Sequence, residues 1–400
     1  MQFQSSRSGI IALAFTCTKP GRNDGFYIRA TLHGSKASRM KKLMVVVGTR
    51  PNFIKVTRFK AVAADRGMHV DLVHTGQHYD EQMSTVFFDQ FGLVPDRFLN
   101  TPQASPAAQM GHIMIALEAT AKEFAPELMI VPGDVNSTLA GALVANKMGI
   151  PLGHLESGLR SGDMGMPEEI NRILTDRITD HFFVTEQSGL DHLKAEGRAA
   201  EDIHFVGNTM IDTLVAYDAQ VQAATVLEDL GLKPGSHVLM TIHRPATVDS
   251  PEELAKLVEL IAFVAQDRKV VFPVHPRTTA KLEATGLMGR LKALGNVLLT
   301  GPMDYFNFQK LIATCAFVIT DSGGIQEETT YRRVPCLTLR PNTERPITIT
   351  HGSNRLITFD LPLLQAAIAD ITEGRAKRGE VPPLWDGQAT ERVFDVIAKL

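Results

Sequence analysis

Short apolar runs alternate with longer stretches of helical periodicity from residue 41 onward, a pattern that predicts parallel α/β architecture. The alternation continues to about Asn208 and then starts again. A chain of 400 residues also exceeds what one ordinary core holds. We therefore predict an α/β fold with two doubly wound domains, 41–208 and 209–384, and a C-terminal helix at about 385–400 that can pack back on the first domain.

The strands predicted by these runs are short, and each is followed by a turn or loop that leads into a helical pattern. One helix is expected from Pro51 to about Asp65. In open parallel sheets, ligands bind beyond the carboxyl ends of the strands, so the informative side chains should follow the strands. The predicted strands cover residues 43–47, 70–74, 128–131, 150–155, 181–185, 203–206, 238–241, 270–274, 297–300, 317–320 and 336–339.

The composition excludes several classes of protein. The formal net charge of −3 gives no global attraction for nucleic acid or an anionic membrane. Three cysteines without metal-ligand spacing suit buried thiols in a reducing compartment, and we expect a cytoplasmic protein without nucleic-acid or membrane partners. Residues 1–39 lack periodicity, and we interpret them as a disordered extension or a start-site artefact rather than a secretion signal.

A glycine-containing junction at residues 320–328 has the character of an anion site. A strand ends, Ser322, Gly323 and Gly324 follow, and a helix begins, so unpaired amides and the positive end of the helix dipole face the loop. Glu328 lies one turn into the helix, where a carboxylate could accept hydrogen bonds from a ribose diol. The segment alone is equally consistent with a serine-capped helix after a tight turn.

A second junction, Gly48–Lys55, carries two basic residues. Arg50 lies at the mouth of the predicted helix and Lys55 about one turn later, so both can point into a cleft. The guanidinium of Arg50 offers paired donors to phosphate or carboxylate. Lys55 considered alone fits better as a surface residue whose charge reaches solvent.

Three carboxylates follow strands or begin a helix in the first half of the chain. Asp134 is a candidate catalytic group, although by itself it resembles an N-cap. Glu156 ends a strand among apolar residues and glycines, so we expect burial to raise its pKa toward general-acid use. Glu168 and Arg172 lie four apart on one helix face, as in an ion pair at a helix start.

Two histidines end strands of the second half, His243 before Arg244-Pro245 and His275 before Pro276-Arg277. Either could hydrogen-bond a phosphate, and neither has a cysteine or carboxylate at metal spacing. No Gly-x-Gly-x-x-Gly follows the first strand and no Walker loop is present, which disfavours NAD and ATP. We expect neither a metal nor any other cofactor.

Together these motifs resemble the non-hydrolysing UDP-N-acetylglucosamine 2-epimerases over about residues 41–360. The resemblance implies a GT-B-type fold, with two Rossmann-like domains, the active site in the cleft between them, and a homodimer. It places catalytic groups at Asp134, Glu156, Glu168 and His243. It places substrate contacts at Arg50, Lys55, Arg172, His275, Phe308, Ser322, Gly323, Gly324, Glu328 and Arg345. The motifs are Gly48–Lys55, Gly133–Thr138, Glu156–Arg160, Met166–Arg172, Val206–Asp212, Thr241–Pro245, Phe272–Pro276, Asp321–Glu328 and Thr343–Pro346.

The expected activity is reversible inversion of carbon 2 of UDP-N-acetylglucosamine, through elimination and re-addition of UDP with 2-acetamidoglucal as the intermediate. Carbon 2 is not adjacent to a carbonyl, so direct deprotonation is unfavourable, and elimination needs proton-transfer groups on both faces of the sugar. Four alternatives remain open at this stage. They are an epimerase of a related diacetamido uronic acid, a hydrolysing 2-epimerase, a GT-B glycosyltransferase and a non-catalytic nucleotide-sugar sensor.

Overall fold

The computed structural model describes residues 40–77, 88–102 and 104–400. The interpretation of residues 1–39 lies outside this described part. Residues 40–400 form one compact unit that contains two parallel sheets. The predicted pair of doubly wound Rossmann-like sheets is therefore confirmed. In the described part of the chain, no helix is long and apolar enough to span a bilayer.

The first sheet has seven parallel strands in the order β3-β2-β1-β4-β5-β6-β7. Six of them were predicted to within two residues at each end. The additional strand, β3, has only two residues at the sheet edge, too few for a hydrophobic pattern to reveal. The strands are β1 Lys42–Val47, β2 His69–His74, β3 Arg97–Phe98, β4 Leu128–Pro132, β5 Leu152–Leu155, β6 His181–Val184 and β7 Ile203–Phe205.

The second sheet repeats this arrangement with six strands in the order β10-β9-β8-β11-β12-β13. The unpredicted strand, β13, again lies at an edge and contains Arg355 between two shorter side chains. In both sheets the chain reverses its direction of growth beside the first strand, which places the ligand crevice at the carboxyl ends of the central strands. The strands are β8 His237–Thr241, β9 Lys269–Pro273, β10 Val297–Thr300, β11 Phe317–Thr320, β12 Cys336–Thr338 and β13 Asn354–Leu356.

Helices connect the strands on both faces of each sheet. The helix bounds are Arg50–Ile54, Phe59–Asp65, Pro106–Phe124, Asn136–Met148, Pro167–Arg177, Gln187–Ala195, Thr209–Ala216, Asp218–Ala223, Val226–Asp229, Pro245–Val248, Pro251–Val264, Pro276–Ala284, Leu287–Lys292, Tyr305–Thr314, Gly323–Arg332, Ile347–Thr350, Leu361–Thr372 and Ala389–Ile397, with a 3-10 turn at Ala200–Asp202.

The helix predicted from Pro51 to Asp65 is interrupted, which corrects that expectation. It divides into Arg50–Ile54 and Phe59–Asp65. The hydroxyl of Thr213 donates to the carbonyl oxygen of Ile54 at 2.6 Å, so a side chain satisfies an acceptor that helix continuation would have used. The break lets Lys55, the residue after the first piece, turn toward the end of β5.

The C-terminal helix packs on the first half of the chain. Val393, Phe394 and Ile397 belong to the same buried cluster as Leu43 of β1. The Phe394 ring lies 5.3 Å from that of Phe59 in edge-to-face contact. Ahead of this helix, Nε1 of the buried Trp385 donates to the Thr185 carbonyl at 3.1 Å. The chain thus crosses back after the second sheet and joins the two halves.

Candidate active site

The two halves meet at the carboxyl ends of their strands. Arg345, between β12 and β13, lies with its Nη2 3.1 Å from Glu156 Oε1 at the end of β5. Nδ2 of Asn208 donates to Oε1 of Glu327 in the second half at 2.8 Å. The backbone amide of Ile347 approaches Glu186 Oε1, after β6, at 3.4 Å. These buried polar contacts form an interface to which the loops of both sheets contribute.

Asp134 follows β4 and faces an arginine. Gly133, in the left-handed region at φ 67°, turns the chain, and the N-cap position of the next helix falls on Val135. The Asp134 carboxylate is thus not a cap and forms an ion pair with Arg172. Asn171 Nδ2 donates to the Asp134 carbonyl at 2.9 Å. Asp134 keeps a quarter of its side chain exposed, so it can meet a ligand.

Glu156 ends β5 in the left-handed region, at φ 65°. This conformation costs a non-glycine residue roughly 1–2 kcal/mol, so surrounding contacts must hold it. The carboxylate is buried and forms ion pairs with Lys55 and Arg345. Burial alone would raise the pKa of Glu156, but attraction to Lys55 and Arg345 outweighs burial and lowers it. The expected raised pKa is therefore wrong, and Glu156 is a carboxylate held ionised.

Arg345 connects several carboxylates at the centre of the cleft. Its Nε lies 2.8 Å from Glu327 Oε2, and Nη1 pairs with Glu344. Glu344 also accepts an ion pair from Arg340 Nη2 at 3.0 Å. Burial raises the pKa of Glu327, and the neighbouring Glu156 acts in the same direction. Arg345, predicted as a nucleotide contact, is thus also the main cation of a buried network.

Glu168 lies in the first turn of helix Pro167–Arg177 and is partly exposed. The expected pairing with Arg172 is wrong, because Arg172 forms its ion pairs with Asp134 and Glu169. Glu169 is buried and also accepts the amide of Gly162 at 2.9 Å. On a helix, residues three and four positions before Arg172 lie about equally close to it. Hydrogen bonds from the loop amides hold Glu169, rather than Glu168, beside Arg172.

The second half contributes an exposed histidine beside a buried carboxylate. The backbone amides of His243 and Arg244 donate to Asp321 Oδ2 at 3.0 and 2.8 Å. His243 Nδ1 lies 3.3 Å from Asp321 Oδ1, and 42% of its side chain is exposed. The His275 ring stands 5.7 Å from that of His243, and its Nδ1 accepts the Arg277 amide at 3.2 Å. Both histidines therefore lie at this edge.

The glycine loop, Ser322, Gly323 and Gly324, leads from β11 into helix Gly323–Arg332. Ser322 occupies the N-cap position, but its hydroxyl makes no capping hydrogen bond, so the serine-cap interpretation is wrong. A Cβ on Gly323 would come within 2.8 Å of Glu344 Oε1 and 2.9 Å of Arg345 Nη1. The loop thus needs glycine where the helix amides meet the charged network.

Glu328, one turn further, is buried, and burial raises its pKa to about 7. Phe308, on helix Tyr305–Thr314, is partly buried against the second-sheet core. Arg50 begins helix Arg50–Ile54 directly after β1. These three residues therefore lie on elements that follow carboxyl ends of strands, as predicted.

Several polar residues of the cleft were not singled out from sequence: Glu169, Glu186, Glu327, Arg340 and Glu344. Glu327 and Glu344 lie inside recognised motifs, so the motif spacing could have drawn attention to them. Glu186 gave no such signal, although burial raises its pKa to about 7. Among the described residues, no three His, Cys, Asp or Glu side chains are grouped so as to hold a metal ion.

Comparison with known proteins agrees with this geometry. The model of the UDP-N-acetylglucosamine 2-epimerase family matches residues 60–398. The chain is 34% identical to the UDP-N-acetylglucosamine 2-epimerase of Methanocaldococcus jannaschii, over 89% of this chain and 98% of the relative. It is 35% identical to the UDP-2,3-diacetamido-2,3-dideoxy-D-glucuronate 2-epimerase of Pseudomonas aeruginosa, over 90% of this chain and 100% of the relative.

A solved structure shows the same similarity. The M. jannaschii UDP-N-acetylglucosamine 2-epimerase in complex with UDP-N-acetylglucosamine and UDP superposes with a TM-score of 0.83 at 34% identity. The match covers 90% of this chain and 100% of that structure. The predicted GT-B-type architecture is confirmed.

Proposed function

The chain belongs to the UDP-N-acetylglucosamine 2-epimerase family, and we propose that it interconverts UDP-N-acetylglucosamine and UDP-N-acetylmannosamine. The observation that carries this proposal is the placement of Asp134 and Glu156 at the ends of neighbouring strands. Each carboxylate is paired with a cation, and Arg345 reaches Glu156 from the other half. An isomerase that moves a proton and a diphosphate needs such groups together.

We propose that the reaction proceeds by elimination and re-addition. A carboxylate removes the proton from carbon 2, the electron pair forms the double bond between carbons 1 and 2, and the anomeric C–O bond breaks to release UDP. The intermediate is 2-acetamidoglucal. UDP oxygen then attacks carbon 1 while a proton returns to carbon 2 on the opposite face. The two half-reactions balance, and no oxidant or reductant is consumed.

The roles of the side chains follow from their charges. Asp134, Glu156 and Glu168 are proposed to handle protons, and Glu156 is held in the ionised form that a proton acceptor requires. Arg50, Lys55, Arg172, His243 and His275 are proposed to stabilise the departing UDP. The remaining groups would hold the nucleotide: the glycine loop amides and Arg345 on the diphosphate, Glu328 on the ribose and Phe308 beside the uracil.

A diacetamido uronic acid is the second candidate substrate, because the P. aeruginosa relative is named for one and matches along its whole length. The chemistry at carbon 2 would be the same. Only the groups at carbons 3 and 6 of the sugar differ, so a direct comparison of the two UDP-sugars distinguishes these candidates.

Proton NMR of the purified protein with UDP-N-acetylglucosamine in deuterated water tests the proposal. We expect UDP-N-acetylmannosamine with deuterium at carbon 2. Free N-acetylmannosamine and UDP would instead show a hydrolysing enzyme, and inversion without deuterium would contradict the proton-exchange mechanism. An unchanged spectrum, with UDP binding shown separately, would contradict this substrate and favour the diacetamido uronic acid or a sensor.

We also propose a homodimer in the cytoplasm. Ile170 and Leu174, one turn apart on helix Pro167–Arg177, are 41% and 46% exposed, and such apolar neighbours suit a subunit contact. Cys315 and Cys336 are buried free thiols, which suits a reducing compartment. Light scattering after size-exclusion chromatography should give twice the mass of the chain, and a monomer would contradict the dimer.

A further inference from the structure

His154 lies on β5 and is completely buried, and its ring nitrogens both have oxygen partners. Nδ1 lies 2.7 Å from Asp176 Oδ1. Nε2 lies 2.7 Å from the carbonyl oxygen of Gly133. A carbonyl oxygen can only accept a hydrogen bond, so Nε2 must carry a proton. The state of Nδ1 then depends on whether Asp176 is ionised.

Asp176 is ionised because its second oxygen is occupied by donors. Asp176 Oδ2 accepts from Arg160 Nη1 at 2.7 Å and from the Gly158 amide at 3.0 Å. Arg160, whose guanidinium forms an ion pair with this oxygen, places a fixed positive charge beside the Asp176 carboxylate. An ionised carboxylate accepts only, so Nδ1 of His154 also carries a proton. The hydrogen-bond partners of His154 are therefore those of an imidazolium cation.

His154 and Asp176 belong to a series of alternating positive and negative side chains that ends near the surface. Arg160 pairs with Glu196, whose side chain is 29% exposed. The four charges of His154, Asp176, Arg160 and Glu196 sum to zero, which is how a protein can keep a cation in a dry interior. The four side chains therefore form a charge-balanced, mostly buried network.

The pair His154–Asp176 holds the two loops that carry the proposed catalytic carboxylates. His154 binds the Gly133 carbonyl, one peptide before Asp134. Asp176 binds the Gly158 amide, two residues after Glu156. One charge pair therefore sets the separation of the two loops, although neither His154 nor Asp176 forms a hydrogen bond or ion pair with the side chain of Asp134 or Glu156.

We propose that His154, as an imidazolium paired with Asp176, is a positioning residue that fixes the loop of Asp134 relative to that of Glu156. The inference rests on the proposed function, because it assigns proton transfer to these carboxylates. A misplacement of about 1 Å can lower the rate of a chemical step on the order of 100-fold without changing affinity.

Two variants of His154 test the hydrogen bonds of the two ring nitrogens separately. His154→Gln keeps a donor near the position of Nε2 for the Gly133 carbonyl, whereas His154→Asn keeps one near Nδ1 and leaves that carbonyl without a donor. We expect His154→Asn to lower kcat about 100-fold with KM changed less than about twofold. His154→Gln should retain at least about ten times more of the kcat than His154→Asn does, since the loop contact persists.

His237 provides the matched control. It is also completely buried, with Nε2 3.3 Å from the Leu311 carbonyl, but it lies at the amino end of β8, remote from both loops. His237→Asn should lower thermal stability and leave kcat unchanged. Equal kcat values for the two His154 variants, or a rise in KM instead of a fall in kcat, would overturn the positioning role.

The charge is tested without turnover, by ¹⁵N NMR of histidine-labelled protein at neutral pH. The ¹⁵N resonances that disappear in His154→Gln belong to His154. We expect them to show a proton on each ring nitrogen, and a proton on only one nitrogen would overturn the imidazolium assignment. If the unaltered protein epimerised no UDP-sugar, the proposed function would fail, and this spectrum would still decide the charge of His154.

Discussion

The two sheets share one strand order, yet different polar side chains lie at the carboxyl ends of their strands. In the first half, Lys55, Glu156 and Arg172 are buried in ion pairs. In the second half, Asp321 is buried among backbone amides and His243 is 42% exposed. A shared topology therefore fixes where a site lies, while side-chain charge decides what it can do. The first half places Asp134 and Glu156 beside cations at this edge, and the second half places backbone amides and an exposed histidine there.

The largest expected effect concerns Asp134, in the first half of the chain. Asp134→Asn removes a proposed proton-transfer group but keeps its shape, so kcat should fall about 1,000-fold, within the range for lost acid–base catalysis. UDP affinity should stay within about twofold because the glycine loop is untouched. The assay is turnover followed by NMR, with UDP binding by calorimetry.

Asp180→Asn is its control, since Asp180 Oδ2 accepts the Leu152 amide at the opposite end of the same sheet. Full activity of Asp134→Asn would remove Asp134 from the mechanism. Loss of activity in both variants would point to a general effect on the sheet.

A second prediction compares the buried carboxylates of the two halves. Glu156→Gln leaves the buried Lys55 without its ion-pair partner, and breaking such a pair costs about 3 kcal/mol. Asp321→Asn should cost only about 1 kcal/mol, because the amide oxygen can still accept from Arg244. Urea unfolding followed by circular dichroism gives both values, and equal losses would contradict the proposed difference between the halves.

The contributions of Glu328 and Glu156 to stability should depend on pH with opposite signs. Burial raises the pKa of Glu328 from 4.5 to about 7, so its contribution to stability is full below pH 4.5 and is lost as pH rises through about 7. The pKa of Glu156 is lowered, so its contribution is present above 4.5 and is lost on acidification.

Urea midpoints measured across this range test the sign. Glu328→Gln should flatten the decline in stability between pH 4.5 and about 7 relative to the unaltered protein. A variant whose midpoint declines as steeply as that of the unaltered protein would show that Glu328 does not titrate there.

The last prediction concerns the glycine loop. Gly323→Ala should destabilise the ligand-free protein by about 1–2 kcal/mol, because its Cβ would crowd Glu344 and Arg345. Gly324→Ala should leave ligand-free stability nearly unchanged, since the nearest atom to its Cβ is Met210 Cε at 3.7 Å. Thermal unfolding without ligand distinguishes the two variants. Equal melting temperatures would show that the side chains of Glu344 and Arg345 move aside at little energetic cost.

Sequence reasoning located the strands better than it described the contacts between side chains. The central strands are apolar and periodic, so they were predicted, whereas β3 and β13 are edge strands too short to show a pattern. The loops that carry Asp134 and Glu156 were found because the carboxyl ends of parallel strands meet at one edge. The pKa of Glu156 was predicted in the wrong direction, since Arg345 is 189 residues away in sequence.

The sequence by itself determined two parallel sheets with connecting helices and the membership of an epimerase family. These follow from local periodicity and from motifs whose residues are adjacent in the chain. Only the tertiary structure decided which charges pair: Arg172 with Glu169 rather than Glu168, Arg345 with Glu156, and His154 with Asp176. Charge states in a buried site depend on distances between remote segments, and those distances are set by folding.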